Sequence, residues 1–120
     1  IKQMQRQFIT AKDGAVIELP EGTFNVQTSL WLDGKNNIII RGKGKEKTIL
    51  NFVHQISGAE GIKITNGKNI TLQNLTVQDT KGDAIKTQFV DGIRFINVKA
   101  EWTRGAHSKN GGYGLYPVQC

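Results

Sequence analysis

Four residues at matching positions of a repeated pattern combine aromatic rings with positive charge, and they are Trp31, Lys63, Lys86 and Tyr116. Flat aromatic faces beside charged hydrogen-bonding groups suit the recognition of sugars, and lysines suit a polymer of uronic or sulfated sugars. A solvated surface with two incidental aromatic residues would give the same pattern. We therefore predict that the four residues share one outward column, either as a carbohydrate contact or as an ordinary surface.

The loop before the last predicted strand carries a second group of residues able to bind a ligand or transfer a proton. The step from Ala100 to Leu115 takes 15 residues, whereas the equivalent step from Val77 to Ile85 takes 8. The longer loop contains Trp102, Arg104, His107, Lys109 and Tyr113. Long loops beside a regular scaffold are where functional sites usually lie, so we predict that this loop belongs to the same site.

Three carboxylates lie close to the lysines of the repeat: Asp79, Asp83, and Glu60 at the place of Asp83 one repeat earlier. They could form an acid–base set, a calcium site made of oxygen ligands, or turn residues balanced by neighbouring cations. The turn interpretation is favoured because "DTKGD" has turn composition. Asp79 and Asp83 stay as the calcium candidates. His54 and His107 lack metal-ligand spacing, so the sequence predicts no transition-metal site.

These residues come together only if the chain repeats, and three offsets indicate that it does. An offset of 23 aligns 61–75 with 84–98 without a gap, an offset of 32 aligns 30–42 with 62–74, and an offset of 30 aligns Ile85 with Leu115. Each repeat contains three short strands, for example 62–65, 69–73 and 75–78. This pattern predicts an all-β parallel β-helix of three strands per coil and three to four coils, stacked at about 4.8 Å.

The corner between the second and third strands of a repeat falls at Asn74 and at Asn97, and Gly42 holds the same place one repeat earlier. Asn and Gly tolerate the left-handed backbone best, and stacked asparagines can hydrogen-bond to one another. We therefore predict a ladder of left-handed corner residues that would otherwise be buried without partners.

The two ends of the coil differ. Met4, Phe8 and Ala11 stand at helical spacing before "DG" at 13–14, which predicts a short amphipathic helix over the first coil. We divide the chain into a capping helix at 1–14 and coils at 15–120. No such cap follows the strand at 115–118, so we predict coils truncated at this end, with further coils or another subunit stacked on them.

Composition excludes several classes of protein. No apolar run approaches the ~18 residues of a membrane span, and residues 1–14 lack the pattern of a secretory signal. Cys120 is the single cysteine, so no internal disulfide can form. The net charge of +6, from 16 Lys and Arg against 10 Asp and Glu, favours polyanionic partners. Nucleic acid is disfavoured, because neither a basic recognition helix nor a single-strand stacking fold accompanies the charge.

A resemblance covers nearly the whole chain through "VIELPEGTFNV", "NNIIIRGKGKEKTIL", "NITLQNLTVQDTKGDAIK" and "GGYGLYPVQC". These segments resemble right-handed parallel β-helix proteins of the pectate-lyase-like superfamily, in particular bacterial parallel β-helix domain-containing proteins. The resemblance implies an extracellular or periplasmic location and a role with polysaccharides. The full calcium-binding aspartate clusters of pectate lyases are not evident in this sequence.

Two functions follow as alternatives. The first is binding or modification of acidic glycans, as by a polyuronate lyase or epimerase. Such an enzyme needs a cation for the sugar carboxylate, a base for the C5 proton and a donor for the leaving oxygen. The candidates are, in that order, Lys63 or Lys86, His107 or Arg104, and Tyr113 or Tyr116. The alternative is a structural solenoid, such as an adhesin, spike or filament subunit, without catalytic activity.

Overall fold

One short helix precedes a series of parallel strands in this computed structural model, which describes residues 2–103 and 115–118. In chain order the elements are α1 (Lys2–Thr10), β1 (Val16–Glu18), β2 (Gly22–Asn25), β3 (Thr28–Asp33), β4 (Asn36–Arg41), β5 (Thr48–Asn51), β6 (Ser57–Gln78), β7 (Ile85–Glu101) and β8 (Leu115–Val118). Because β6 and β7 each bend at two corners, each of them forms one complete coil.

Stacking of these strands builds three parallel faces around a common axis. Face A consists of β3, residues 62–65 of β6, residues 85–88 of β7, and β8. Face B consists of β1, β4, residues 70–73 and residues 93–96. Face C consists of β2, β5, residues 75–78 and residues 98–101. The predicted all-β solenoid with three strands per coil is therefore confirmed, with about four coils.

The register of the strands reproduces the sequence offsets. Ile62 pairs with Ile85 at the offset of 23, Leu30 pairs with Ile62 at 32, and Ile85 pairs with Leu115 at 30. A slip by one residue would turn every apolar side chain outward, so the alternating pattern fixes this register. The unequal offsets show that loops of different length are accommodated at the corners while the faces stay aligned.

The apolar core runs along the axis, between the three faces. Each face contributes the inward member of its alternation, and the largest fully buried side chains are Phe8, Leu19, Leu30, Leu32, Ile38, Ile40, Leu50, Phe52, Ile62, Ile64, Ile70 and Leu72. Full burial of one such side chain is worth about 1.5–3 kcal/mol. Stacking of like residues from coil to coil therefore supplies the main stabilisation of the fold.

The asparagine corner between faces B and C is confirmed in conformation. Asn74 has φ +61° and Asn97 has φ +52°, and the Asn97 Nδ2 donates to Asn74 Oδ1 at 3.3 Å. The ladder lies at the surface, with Asn97 exposed, so the expectation of otherwise buried amides is wrong. Gly42 also differs from expectation, because it does not take a positive φ. The expanded turn at 43–47 changes the path of the chain there, and Gly44 takes the positive φ instead.

The predicted capping helix is present as α1, which packs against β3. Met4 and Phe8 are buried in the core, and Ala11 packs against it. Asp13 then joins this segment to the next coil by accepting a hydrogen bond from the Asn36 backbone at 2.9 Å. The division at residue 14 and the truncated upper end stay predictions. In the part of the chain that the structure describes, no helix is long and apolar enough to cross a membrane.

Candidate functional site

The predicted column forms on face A, because the register places its members directly above one another. Trp31 pairs with Lys63, Lys63 with Lys86, and Lys86 with Tyr116. The alternation of the strands directs Leu30, Ile62 and Ile85 inward and the next residue outward. Face A therefore carries an aromatic ring and two ammonium groups on successive rungs, and the backbone of Tyr116 continues the column.

Trp31 and Lys63 are held against each other at the lower end of the column. The Lys63 ammonium lies 5.2 Å from the centroid of the Trp31 ring, within the range of a cation–π interaction. The Trp31 side chain is 50% exposed, and Lys63 is half-buried rather than fully exposed. The lysine is thereby held over the ring while the pair still presents apolar area and a positive charge to solvent.

A hydrogen-bonded chain fixes the orientation of the indole. The Trp31 Nε1–H donates to the Thr65 hydroxyl at 2.8 Å, and that hydroxyl donates to Asp33 Oδ1 at 2.6 Å. The Asn66 amide donates to the same carboxylate oxygen at 3.1 Å. The Thr65 hydroxyl first, and then the Asn66 amide, hold the pKa of Asp33 below its ordinary value. Asp33 therefore stays ionised over a wide pH range. It keeps the Thr65 hydroxyl oriented so that its oxygen accepts the hydrogen bond from the indole N–H.

A cleft of about 280 Å³ opens beside Trp31, next to the capping helix. Its lining residues are Gln5, Thr28, Ser29, Trp31, Gly58, Glu60 and Lys63. Binding sites for small molecules usually measure about 300–1,000 Å³. This cleft lies just below that range, and it therefore has room for about one sugar ring. It contains an aromatic ring, a carboxylate, an amide and an ammonium group, which together can bind hydroxyl and carboxylate groups.

Lys86 extends the positive charge by one rung. The side chain is half-buried, and its backbone pairs with Lys63 in register, about 4.8 Å away. Two lysines on adjacent rungs place two positive charges on face A, and both attract an anion that lies along that face. The pair therefore favours a ligand whose negative charges recur along the axis of the coil.

Asp79 lies at the corner directly after β6. It has φ +57°, and its two carboxylate oxygens accept hydrogen bonds from the Thr103 backbone N–H at 2.8 Å and the Thr103 hydroxyl at 2.7 Å. The backbone carbonyl of Asp83 accepts from Gly61 at 3.0 Å. Residues 2–103 and 115–118 contain no group of three or more His, Cys, Asp or Glu that could hold a metal ion. A calcium ion at Asp79 would compete with Thr103, and calcium binding by Asp79 and Asp83 stays a prediction.

Among the candidate residues of the long loop, only Trp102 has a side chain that the structure describes. Its ring packs against the core, and its Nε1–H donates to the Thr80 carbonyl at 2.9 Å. Its role as a sugar contact stays a prediction. Arg104, His107 and Tyr113 lie outside the described residues, and so does the side chain of Tyr116.

A second concavity, of about 380 Å³, lies at the corner between faces B and C. Its lining consists of residues 43–47 together with Asn74 and Asn97. Lys43 lies 3.7 Å from the Glu18 carboxylate on the rung below, which offsets part of its charge. This corner is a basic surface loop, and it lies away from the column on face A.

Two residues that support the Trp31 indole, Asp33 and Thr65, were not predicted from the sequence. Asp33, Thr65 and Gln88 follow the column two positions later on three successive rungs, at the same offsets. If the aligned repeats had also been compared at the next outward position of each strand, these residues would have been found. Glu60 was noted as a turn carboxylate, and its place in the cleft depends on the packing of α1 against β3. No periodic signal could have shown that packing.

Solved structures that are similar to the chain include two pectin methylesterases. PemA from Erwinia chrysanthemi matches with a TM-score of 0.64 and 15% identity, over 98% of this chain and 40% of that one. A mutant pectin methylesterase in complex with hexasaccharide IV matches with a TM-score of 0.52 and 14% identity, over 85% of this chain and 45% of that one. No protein-family model and no curated protein sequence matches. The chain thus spans less than half the length of these neighbours and, as the resemblance predicted, shares their parallel β-helix fold.

Proposed function

We propose that face A binds an acidic polysaccharide along the axis of the coil and that the protein modifies or retains that polymer. The observation that carries this proposal is the column of Trp31, Lys63 and Lys86 on three successive rungs. The aromatic ring offers apolar area to a sugar, and the two lysines lie at paired positions on adjacent rungs. A polymer with a carboxylate on each sugar can use several of these groups at once.

Acidic rather than neutral sugar is favoured by the charge of the whole chain and by its placement. The net charge of +6 attracts polyanions at long range, and the two lysines of the column concentrate positive charge on one face. Asp33 and Glu60 lie beside them and would accept hydrogen bonds from sugar hydroxyls. An extracellular or periplasmic location, where such polymers occur, is part of the proposal.

The reaction we propose for this face is elimination or epimerisation of a polyuronate. Lys63 or Lys86 would neutralise the sugar carboxylate, which makes the C5 proton more acidic. In elimination, a base removes that proton, a double bond forms between C4 and C5, and the bond from C4 to oxygen breaks as the oxygen is protonated. His107 or Arg104 is proposed as the base, and Tyr116 or Tyr113 as the donor. The similar solved structures add ester hydrolysis as a reaction to test.

The direct test is the double variant Lys63→Ala with Lys86→Ala, measured for binding to polygalacturonate and to alginate by calorimetry at two salt concentrations. A hydrogen bond to a charged group contributes about 1.5–3 kcal/mol. Removal of each lysine should therefore weaken the affinity about ten- to hundredfold. We expect the double variant to lose salt-sensitive binding. A matched control, Lys12→Ala with Lys45→Ala, removes the same charge from exposed positions outside face A and should retain most of the affinity.

The alternatives give different results. Equal loss in the control would mean general charge attraction rather than a site on face A. Fibres without glycan binding would support a structural solenoid instead. Release of an unsaturated sugar from either polymer would identify a lyase, release of methanol from esterified pectin would identify an esterase, and binding without product would leave a binding protein.

A further inference from the structure

Phe89 has an unusual combination of backbone and side-chain features. Its φ is +59°, in the left-handed region that bulky residues rarely adopt, and its ring is 50% exposed. The other non-glycine residues with positive φ in the described part of the chain are asparagines and one aspartate. A large aromatic side chain in this conformation raises the free energy of the folded state. Because the ring is half-exposed, it gains only part of the free energy that full burial would give.

The fold requires a left-handed residue at this corner but does not require an aromatic one. Thr65 pairs with Gln88 and Gly67 with Val90, so Asn66 occupies the equivalent corner one rung below, with φ +53°. Asparagine there satisfies the backbone at low cost and donates to Asp33. An asparagine at position 89 would meet the same backbone requirement. The phenylalanine is therefore not explained by the geometry of the corner.

The place of Phe89 connects it to the candidate site. It directly follows Gln88 on face A and lies on the same rung as Lys86, two rungs above Trp31. Two rungs correspond to about 10 Å along the axis. Strained backbone that the surroundings maintain is concentrated at binding and catalytic sites, so the position of the strain is informative.

We propose that Phe89 is a second aromatic contact for the acidic polysaccharide, at the edge of face A. Its exposed ring would stack on the apolar C–H face of one pyranose, while Lys63 and Lys86 bind carboxylates of the same polymer. This inference rests on the proposed function and deepens it, because it adds a contact with the sugar ring itself to the recognition of charge.

The test combines a stability measurement with a binding measurement on Phe89→Asn. This variant removes the ring and supplies a residue suited to positive φ, so we expect a higher Tm together with weaker binding of polygalacturonate or alginate. An aromatic contact of ordinary strength corresponds to a loss of about two- to twelvefold in affinity. Phe89→Tyr keeps a ring and should keep the affinity. Ile96→Asn, at a 45% exposed apolar position on face B, should leave binding unchanged.

Each other outcome is decisive. A lower Tm for Phe89→Asn would mean that the ring is kept for packing, and the proposal would be overturned. Unchanged affinity in Phe89→Asn, with binding lost in the double lysine variant, would overturn this inference alone. A change in sedimentation rather than in glycan binding would assign the ring to a protein partner. Absence of binding by the parent would overturn the proposed function together with this inference.

Discussion

Gly42, at the corner between faces B and C, is predicted to tolerate no side chain at all. It is buried, and its backbone N–H donates to the Gln73 carbonyl at 2.9 Å. A Cβ added there would lie 2.3 Å from the Asn74 carbonyl oxygen and 2.8 Å from the Thr48 Cβ. The first of these atoms belongs to the backbone of the neighbouring rung, so it cannot move aside as a flexible side chain could. We therefore choose Gly42→Ala as the perturbation.

The size of the effect follows from these contacts. Overpacking of a closed site costs about 1–3 kcal/mol. Separation of the two rungs would also weaken the hydrogen bonds from Gly42 to Gln73 and from Gly44 to Asn74, each worth about 0.5–1.5 kcal/mol. The sum is about 2–6 kcal/mol of unfolding free energy. For a chain of 120 residues, 1 kcal/mol corresponds to about 3–5 °C, so Tm should fall by about 6 °C or more.

Thermal unfolding followed by circular dichroism measures this shift, and Gly34→Ala supplies the control. Gly34 has φ +68°, and a Cβ there meets no atom within 4 Å, so this variant carries only the backbone cost of about 1–2 kcal/mol. We expect Gly42→Ala to unfold at the lower temperature of the two. A Gly42→Ala protein that melts within about 2 °C of the parent would refute the close approach of the rungs at this corner.

Three further predictions test other parts of the structure. Asn97→Leu loses the bond to Asn74 and a residue suited to positive φ, so unfolding free energy should fall by about 1–3 kcal/mol, and a Tm within a degree of the parent would count against the ladder. Thr65→Val should raise the pKa of Asp33 toward its ordinary value, as read by an NMR pH titration. The depressed pKa of Asp33 stabilises the fold above about pH 3.9, and that stabilisation is lost as pH falls through the folded-state pKa; Thr65→Val should reduce this dependence. The 120-residue chain should associate at micromolar concentration, because Phe95 is only partly buried on the upper coil; a monodisperse 13.3 kDa species in sedimentation would contradict this.

Much of the fold could be predicted because, in a solenoid, the spacing of the sequence repeats equals the spacing of the paired residues. The offset between Ile62 and Ile85 is also the spacing of paired residues in the structure, so one alignment of the chain with itself gives the strand pairs. The same argument gave the column of Trp31, Lys63 and Lys86, since neighbours in register share a face. Asn74 and Asn97 were predictable for a different reason, namely their tolerance of the left-handed backbone.

The supporting contacts could not be predicted because they depend on how unequal loops and ends pack. The cation–π contact between Lys63 and Trp31 depends on side-chain rotamers that no spacing defines. Gly42 matched Asn74 in register, but the inserted turn at 43–47 removed the need for a left-handed residue and created a need for a small one. Phe89 gave no signal in the sequence, because an aromatic residue predicts a strand interior rather than a corner.

The pairing of every coil with only its immediate neighbours has a consequence for how the chain folds. Contacts join residues about 23 to 32 positions apart, so each new coil closes a short loop onto a template that already exists. The α1 helix, with Met4 and Phe8 in the core, covers the lowest coil by packing against β3. Formation of structure can therefore begin at this end and advance one coil at a time. Amide protons in the coil next to α1 would then exchange most slowly, and mechanical extension from the other end would release the coils in reverse order.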